Sequence, residues 1–204
     1  MTTVARAERG NRYTAVAIFL HWAMALGILA LIVIGLVMTH VKLKPFDLFR
    51  LYQLHKSIGI TILLAAFLRL AWRLMHKPPA LPSAMPPVER KAAEATHLLL
   101  YFYLFMLPLT GWAVVSAAVL NIPTYLYGII PWPHLPILST LHNKKPVEHI
   151  LALTHTYLAW SLIALLVLHT AAALRHHLIL RDDILTRMLP WGRRQAKIKE
   201  TSSR

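Results

Sequence analysis

The stretch HTYLAWSLIALLVLH, residues 155–169, is a nearly unbroken apolar run bounded at each end by a histidine. A helix turns about 100° per residue, so fourteen steps bring the second imidazole to within roughly 40° of the first, about 21 Å further along the axis. The run therefore reads as one helix that offers two imidazoles from one face at two depths. Everything else in the chain can be placed relative to those two levels.

The surrounding sequence makes the depths depths in a membrane. Of 204 residues 57% are hydrophobic and 15% charged, and the mean hydropathy is +0.52. An average soluble domain carries about 25% charged residues. Crossing a hydrocarbon core of ~30 Å takes ~20 apolar residues, and four runs qualify: residues 14–38, 53–75, 97–120 and 150–174. The sequence thus predicts an all-α protein, a four-helix transmembrane bundle with little left over for a soluble domain. The first run follows Arg6, Arg9 and Arg12 but is too long for a signal-peptide core and lacks a small-residue cleavage site after it, so it reads as a retained span.

Charge sets the orientation. The net charge of +14 would suggest nucleic acid in a soluble protein, but here the basic residues flank the spans and sort by side, so no nucleic-acid partner is expected. Of 22 lysines and arginines, only Lys42, Lys44, Arg50, Lys56, Lys144 and Lys145 fall on one side. The rest lie before the first span, around the second connection, or past residue 174, which places both termini in the cytoplasm by the positive-inside rule. The tail beyond residue 190 is basic enough to favour anionic membrane lipid. Expected connections are an outer loop at 39–52, a proline-rich inner loop at 76–96 and a long outer loop at 121–149. Pro108 and Gly111 predict a kink in the third span, and a short helix is expected beyond 174, through Leu189.

With no cysteine in the chain, disulfides and thiolate-bound metals are excluded. Twelve histidines remain, and four of them match by depth. Antiparallel threading pairs His21 with His169 at an inner level and His55 with His155 at an outer level. Ionisable groups inside a bilayer are costly and default to a functional role, and neutral imidazole is a common axial ligand of haem iron in a bundle core. Paired depths therefore predict two haems, each with both axial positions filled by histidine, passing single electrons without binding oxygen. One lone histidine would be read as a hydrogen bond to a neighbouring helix. Arg69 follows His55 by the same fourteen-residue interval and so reaches the inner level, where a guanidinium suits a haem propionate; the alternative is an arginine snorkelling to the interface. Gly59 lies on the His55 face, where it either lets a porphyrin approach or serves helix packing. His97 is open between a substitute ligand, a propionate partner, part of a quinone pocket and a plain interfacial histidine. His149 faces away from His155, His176 and His177 are expected at the cytoplasmic surface, and His40, His76, His134 and His142 in solvated loops.

These segments resemble the bacterial cytochrome b561 family of four-helix dihaem inner-membrane cytochromes. The likeness is carried by Ile18-Phe19-Leu20-His21-Trp22, His55-Lys56-Ser57-Ile58-Gly59 with Arg69, His97 leading to Leu107-Pro108-Leu109-Thr110-Gly111, and His155 with Leu168-His169-Thr170 through Arg175-His176-His177. Arg187-Met188-Leu189-Pro190 belongs with them. The resemblance implies a cytochrome b561-like transmembrane domain over residues 1–190, a basic cytoplasmic tail over 191–204, and residence in the bacterial inner membrane. It implies two haem b groups on His21, His55, His155 and His169, and electron exchange between membrane quinone and a periplasmic donor. One branch of the family oxidises superoxide and reduces ubiquinone, which a quinone-reducing oxidoreductase of that type would do here. The cluster Lys42, Lys44, Arg50, Lys56, Lys144 and Lys145 would then steer the anion toward the outer haem, though a basic rim fits lipid headgroups or an acidic partner as well.

Two other readings stand beside this one. The chain would serve as the cytochrome b subunit of a multi-subunit periplasmic oxidoreductase such as a hydrogenase, with a protein redox partner in place of superoxide. Alternatively it is a haem-free transporter, against which stands the placement of Glu89, Glu94 and Glu148 at loops or span edges. Expected partners are membrane lipid, quinone, the periplasmic donor and a second copy of the chain as a homodimer.

Overall fold

The structure, a computed structural model, describes residues 12–82 and 85–191. Four long helices account for most of it: α1 (Ala15–His40), α2 (Pro45–Met75), α3 (Pro87–Ala117) and α4 (Lys144–Arg175). Each is long and apolar enough to cross a membrane. At about 1.5 Å per residue, even the 26-residue α1 exceeds the hydrocarbon thickness. Their starts follow helix-end chemistry. The Thr14 hydroxyl accepts from the Ala17 N–H at 3.2 Å and caps α1. Proline opens both α2 and α3, where a missing N–H costs nothing, and Asp47 and Glu89 sit in their first turns.

The helices extend past the apolar runs, which shortens the expected loops. α2 begins at Pro45, so the outer loop expected at 39–52 is only a few residues long. α3 begins at Pro87, not at the end of a loop reaching residue 96, and ends at Ala117. The physical reason is that a helix does not stop where the hydrocarbon stops: polar turns continue it into the interface. Pro108 lies inside α3, and the helix continues on both sides of it. The long connection is not an irregular loop either. It holds an antiparallel hairpin, β1 (Thr124–Leu126) on β2 (Ile130–Trp132), and a single helical turn at Pro136–Ser139.

Two buried serines strap this connection to the bundle. Ser57 and Ser116 are fully buried, and each donates to the carbonyl four residues back on its own helix. Each hydroxyl oxygen then accepts a backbone N–H from the connection: Tyr127 on Ser57 and Leu135 on Ser116, both at 2.9 Å. Tyr127 adopts φ 53°, an unfavourable conformation for an aromatic residue. Its backbone bond to Ser57 and its hydroxyl bond to Thr61 (2.7 Å) hold it there.

Packing runs in chain order, α1 on α2, α2 on α3 and α3 on α4. A buried cluster of Met24, Ile62 and Ala66, with Leu104 and Phe105 against it, forms the centre. Gly27 lets α1 and α2 close up there, since a Cβ at that position would sit 2.8 Å from Ile62 Cδ1. The outward faces carry large exposed apolar side chains such as Phe19, Leu74 and Leu168, as a lipid-facing surface does.

The described chain ends meet at one end of the bundle, where the Arg12 guanidinium donates to the Pro190 carbonyl at 2.9 Å and Trp22 Nε1 to the Met188 carbonyl at 2.8 Å. This is the terminal end; the hairpin marks the other. Beyond α4 the chain forms a π-helical turn at His176–Leu180, not the short α-helix expected through Leu189. Arg181, at φ 54°, ends that turn and reverses the chain. The expected basic tail at 191–204, with Arg193, Arg194, Lys197, Lys199 and Arg204, lies outside the described residues apart from Trp191, as do Arg6 and Arg9.

Replacing Ser57 with Ala leaves the part-buried Tyr127 N–H without its acceptor, which costs about 0.5–1.5 kcal/mol. The expected outcome is a lowered unfolding midpoint together with faster hydrogen exchange at Tyr127. An unchanged exchange rate there would show that the strap is not what holds the hairpin.

Candidate functional site

The four depth-matched histidines come together in the pairs that threading gives. The ring centroids of His21 and His169 are 6.4 Å apart near the terminal end, and those of His55 and His155 are also 6.4 Å apart near the hairpin end. All four are largely shielded without being fully buried. α4 supplies one ring to each pair, and α1 and α2 supply the partners. The buried cluster of Met24, Ile62 and Ala66 lies between the two levels, since Met24 follows His21 by one turn while Ile62 and Ala66 lie between His55 and Arg69.

The separation is informative. Two imidazoles in van der Waals or hydrogen-bonded contact would approach more closely or share a proton. A metal about 2 Å from one nitrogen of each ring, with that nitrogen about 1 Å from its ring centre, puts the centroids about 6 Å apart. Both pairs have this spacing. Among the described residues no group of three or more histidines and carboxylates forms a closed metal cage, so the pairs suit a metal whose remaining ligands come from elsewhere, as a porphyrin supplies them.

The surroundings of His155 prepare one of its nitrogens. The Thr110 hydroxyl donates its single hydrogen to the carbonyls of Met106 and Leu107, at 2.8 and 3.0 Å. With that hydrogen so used, it accepts from His155 Nδ1, 3.0 Å away, and the Leu107 carbonyl also lies within hydrogen-bonding reach of the ring. That assignment, made from the hydrogen-bond network, leaves the Nε2 lone pair free. The next residue, Gly111, gives the ring its room: a Cβ there would lie 3.1 Å from His155 Cε1. On the opposing helix, His55 Nδ1 is buried without a hydrogen-bond partner. A Cβ on Gly59 would meet nothing within 4 Å, so this position borders open space rather than a packed helix.

At the other level Arg69 is half-buried, and its Nη2 donates to His21 Nδ1 at 3.3 Å. The arginine has reached the depth that its spacing from His55 gives. His97 joins this level, its ring centroid 6.0 Å from that of His169. It is no isolated interfacial side chain.

Other histidines divide. His40, His76, His142, His149 and His177 are exposed, as expected. His176 is not at the open surface: its side chain is 13% exposed and bonds Asp182 at 2.5 Å, with Glu89 at 4.0 Å. The chain reversal after the π-turn is what brings Asp182 back to it. His134 is likewise half-buried, not solvated, with Nδ1 against Asn121 Oδ1 at 3.1 Å. Burial, with the charges of Lys56 and Lys144 behind it, holds the His134 imidazole below its usual pKa despite a backbone hydrogen bond to Ile122.

With this geometry in place, comparison with known proteins becomes specific. A family model for prokaryotic cytochrome b561 matches residues 12–191. The chain belongs to the prokaryotic cytochrome b561 family. Cytochrome b561 homolog 2 of Escherichia coli (strain K12) is 33% identical over 179 residues, covering 88% of this chain and 92% of that protein. Cytochrome b561 homolog 1 of the same organism is 25% identical over 188 residues, 88% and 98% of the two chains. The protein named probable superoxide oxidase CybB, from Yersinia pestis, is 26% identical over 186 residues, 88% and 97% of the two chains. The chain is thus a multi-pass membrane cytochrome of the bacterial inner membrane, an electron-transfer protein of a haem b family.

Thr110 is the residue that sequence reasoning quotes but gives no role. Its place two residues after Pro108 and directly before Gly111 was the available signal. Thr110→Val removes one of two acceptors at the His155 ring, the Leu107 carbonyl being the other, at a cost of about 0.5–1.5 kcal/mol. A lower unfolding midpoint is expected in Thr110→Val and recovery in Thr110→Ser, which keeps the hydroxyl; equal midpoints for all three proteins would reject the bond.

Proposed function

We propose that this chain carries two haem b groups and passes electrons across the membrane from a donor outside to quinone. His21 with His169 holds one haem and His55 with His155 the other. The observation that supports this most is the equal 6.4 Å spacing of two imidazole pairs drawn from three helices. A haem with two imidazole ligands exchanges single electrons and has no open position for oxygen.

The chain's own residues then take definite parts. Thr110 fixes the His155 tautomer, and Gly111 leaves the ring room to face inward. Arg69, now resting on His21, has donors only and so would favour the propionate carboxylate of the haem at its level. Met24, Ile62 and Phe105 keep water from between the two levels. The excess of Lys and Arg at the terminal end puts that end in the cytoplasm and the hairpin in the periplasm.

The donor we favour is superoxide. The relative named as a superoxide oxidase supports this, and so does the basic rim of Lys42, Lys44, Arg50, Lys56, Lys144 and Lys145 at the hairpin end, which would raise the local concentration of an anion. Two superoxide anions give up one electron each to become dioxygen, and one quinone takes both electrons with two protons to become quinol.

Purified chain, without any partner, is expected to hold two haems and to reduce quinone when superoxide is generated in the sample. His155→Ala and His169→Ala are each expected to retain about one haem per chain. Two full haems in either variant would overturn the ligand assignment. Haem-loaded chain that does not reduce quinone with superoxide would instead fit a cytochrome b subunit awaiting a periplasmic oxidoreductase. Arg69→Ala removes a positive charge beside the inner haem, so its reduction potential should fall while haem content stays; an unchanged potential would remove Arg69 from the propionate.

A further inference from the structure

The terminal end of the bundle contains a cavity of about 250 Å³ between the start of α1, the last turns of α2 and the segment after α4. A water occupies about 30 Å³ in the liquid, so the space suits a polyatomic group. Its polar lining is one-sided: Arg12, Arg69, Arg73, His76 and Lys77 border it, and no Asp or Glu among the described residues does. Of the acids of this end, Glu89 pairs with Arg175, Asp182 with His176 and Asp183 with Arg187, while Glu94 is exposed and does not line the cavity. Arg73 and Lys77 have no carboxylate partner among the described residues. Like charges gathered around a cavity repel one another unless an anion offsets them.

The walls are built, and built for an interface. Trp72 Nε1 donates to the Thr14 hydroxyl at 2.8 Å, tying α2 to the cap of α1, and the His76 ring stacks on the Trp72 indole at 3.9 Å and 11°. The Arg73 guanidinium lies 5.4 Å from the centre of the Tyr101 ring, a cation–π contact that helps orient its fork. Arg12 closes the floor through its bond to the Pro190 carbonyl. Tryptophan and tyrosine beside arginine and lysine at the end of a spanning helix mark the headgroup level of a bilayer.

We propose that this cavity is a binding site for the phosphate of an anionic phospholipid, held by Arg73 and Lys77, with the acyl chains lying along the exposed apolar face of α2. Arg73 supplies the planar fork that a phosphate accepts two ways, and Lys77 the point charge beside it. Arg69 is the deepest of the five and remains with the inner haem level. The lipid site rests on the haem reading in that Arg69, which lines the same cavity, is left to the propionate, and each is read separately in the test.

The test is native mass spectrometry of the full-length protein, haem-loaded as produced, released from micelles mixed with phosphatidylglycerol and phosphatidylcholine. Haem content is recorded on the same samples from absorption. The wild-type chain is expected to retain one phosphatidylglycerol in preference to phosphatidylcholine. Lys77 is exposed, so Lys77→Gln keeps the fold and should weaken retention about 5-fold, while Arg73→Gln with Lys77→Gln should weaken it about 25-fold. The opposite-end control, Lys42→Gln with Lys44→Gln, should retain the lipid as the wild type does. Equal retention of the two lipids, equal retention in wild type and Lys77→Gln, or equal loss in the control would overturn the site. Displacement by millimolar inorganic phosphate would make it a free-phosphate site and overturn the lipid. Retention by haem-free chain but not by haem-loaded chain would assign the cavity to propionates and also overturn it.

Discussion

An imidazole in hydrocarbon must have a partner, and this bundle is arranged around that demand. α4 places two rings on one face at two depths, and α1 and α2 answer each with one ring across 6.4 Å. A buried unsatisfied polar group costs about 1–3 kcal/mol, and four of them inside a membrane domain would consume much of the stability of a small protein. Neither pair closes to a hydrogen bond. The gap between each pair is what the proposed haem ligation accounts for, and the helix lengths, the glycine beside His155 and the threonine that sets its tautomer all serve that gap.

The two ends of the bundle are built differently from the same parts. At the hairpin end, Ser57 and Ser116 each bond back into their own helix and accept a loop N–H, so the long connection is fastened beside the His55–His155 pair by hydrogen bonds. At the terminal end, charged groups do the fastening: Arg12 and Arg187 donate to backbone carbonyls of the segment after the fourth helix and of the second connection, and Glu89 meets His176. Closure at the hairpin end is insensitive to salt, whereas the charged contacts at the terminal end are weakened by it.

The architecture was legible because membrane burial leaves a simple signal. Apolar length gave the number of helices, and the fourteen-residue interval gave the shared face of His155 and His169. Loop bounds were not legible, since helices such as α2 continue through polar residues like Asp47 and Arg50 that no hydrophobicity pattern marks. Thr110 and Ser57 were missed in role for a related reason: a lone hydroxyl on an apolar helix looks alike whether it bonds its own carbonyl or also receives a partner from elsewhere. His176 and His134 were read as solvated because the folds that cover them, a π-turn reversed at Arg181 and a hairpin, depend on local φ values absent from any period.

The central claim is that both axial positions of every haem in this protein are filled by imidazole from this chain. Electron paramagnetic resonance of the oxidised protein, followed by exposure of the reduced protein to carbon monoxide, tests it directly. The account predicts low-spin ferric signals of bis-imidazole type from two distinct centres and no spectral change with carbon monoxide. A high-spin signal from the intact protein, or carbon monoxide binding at either level, would contradict it.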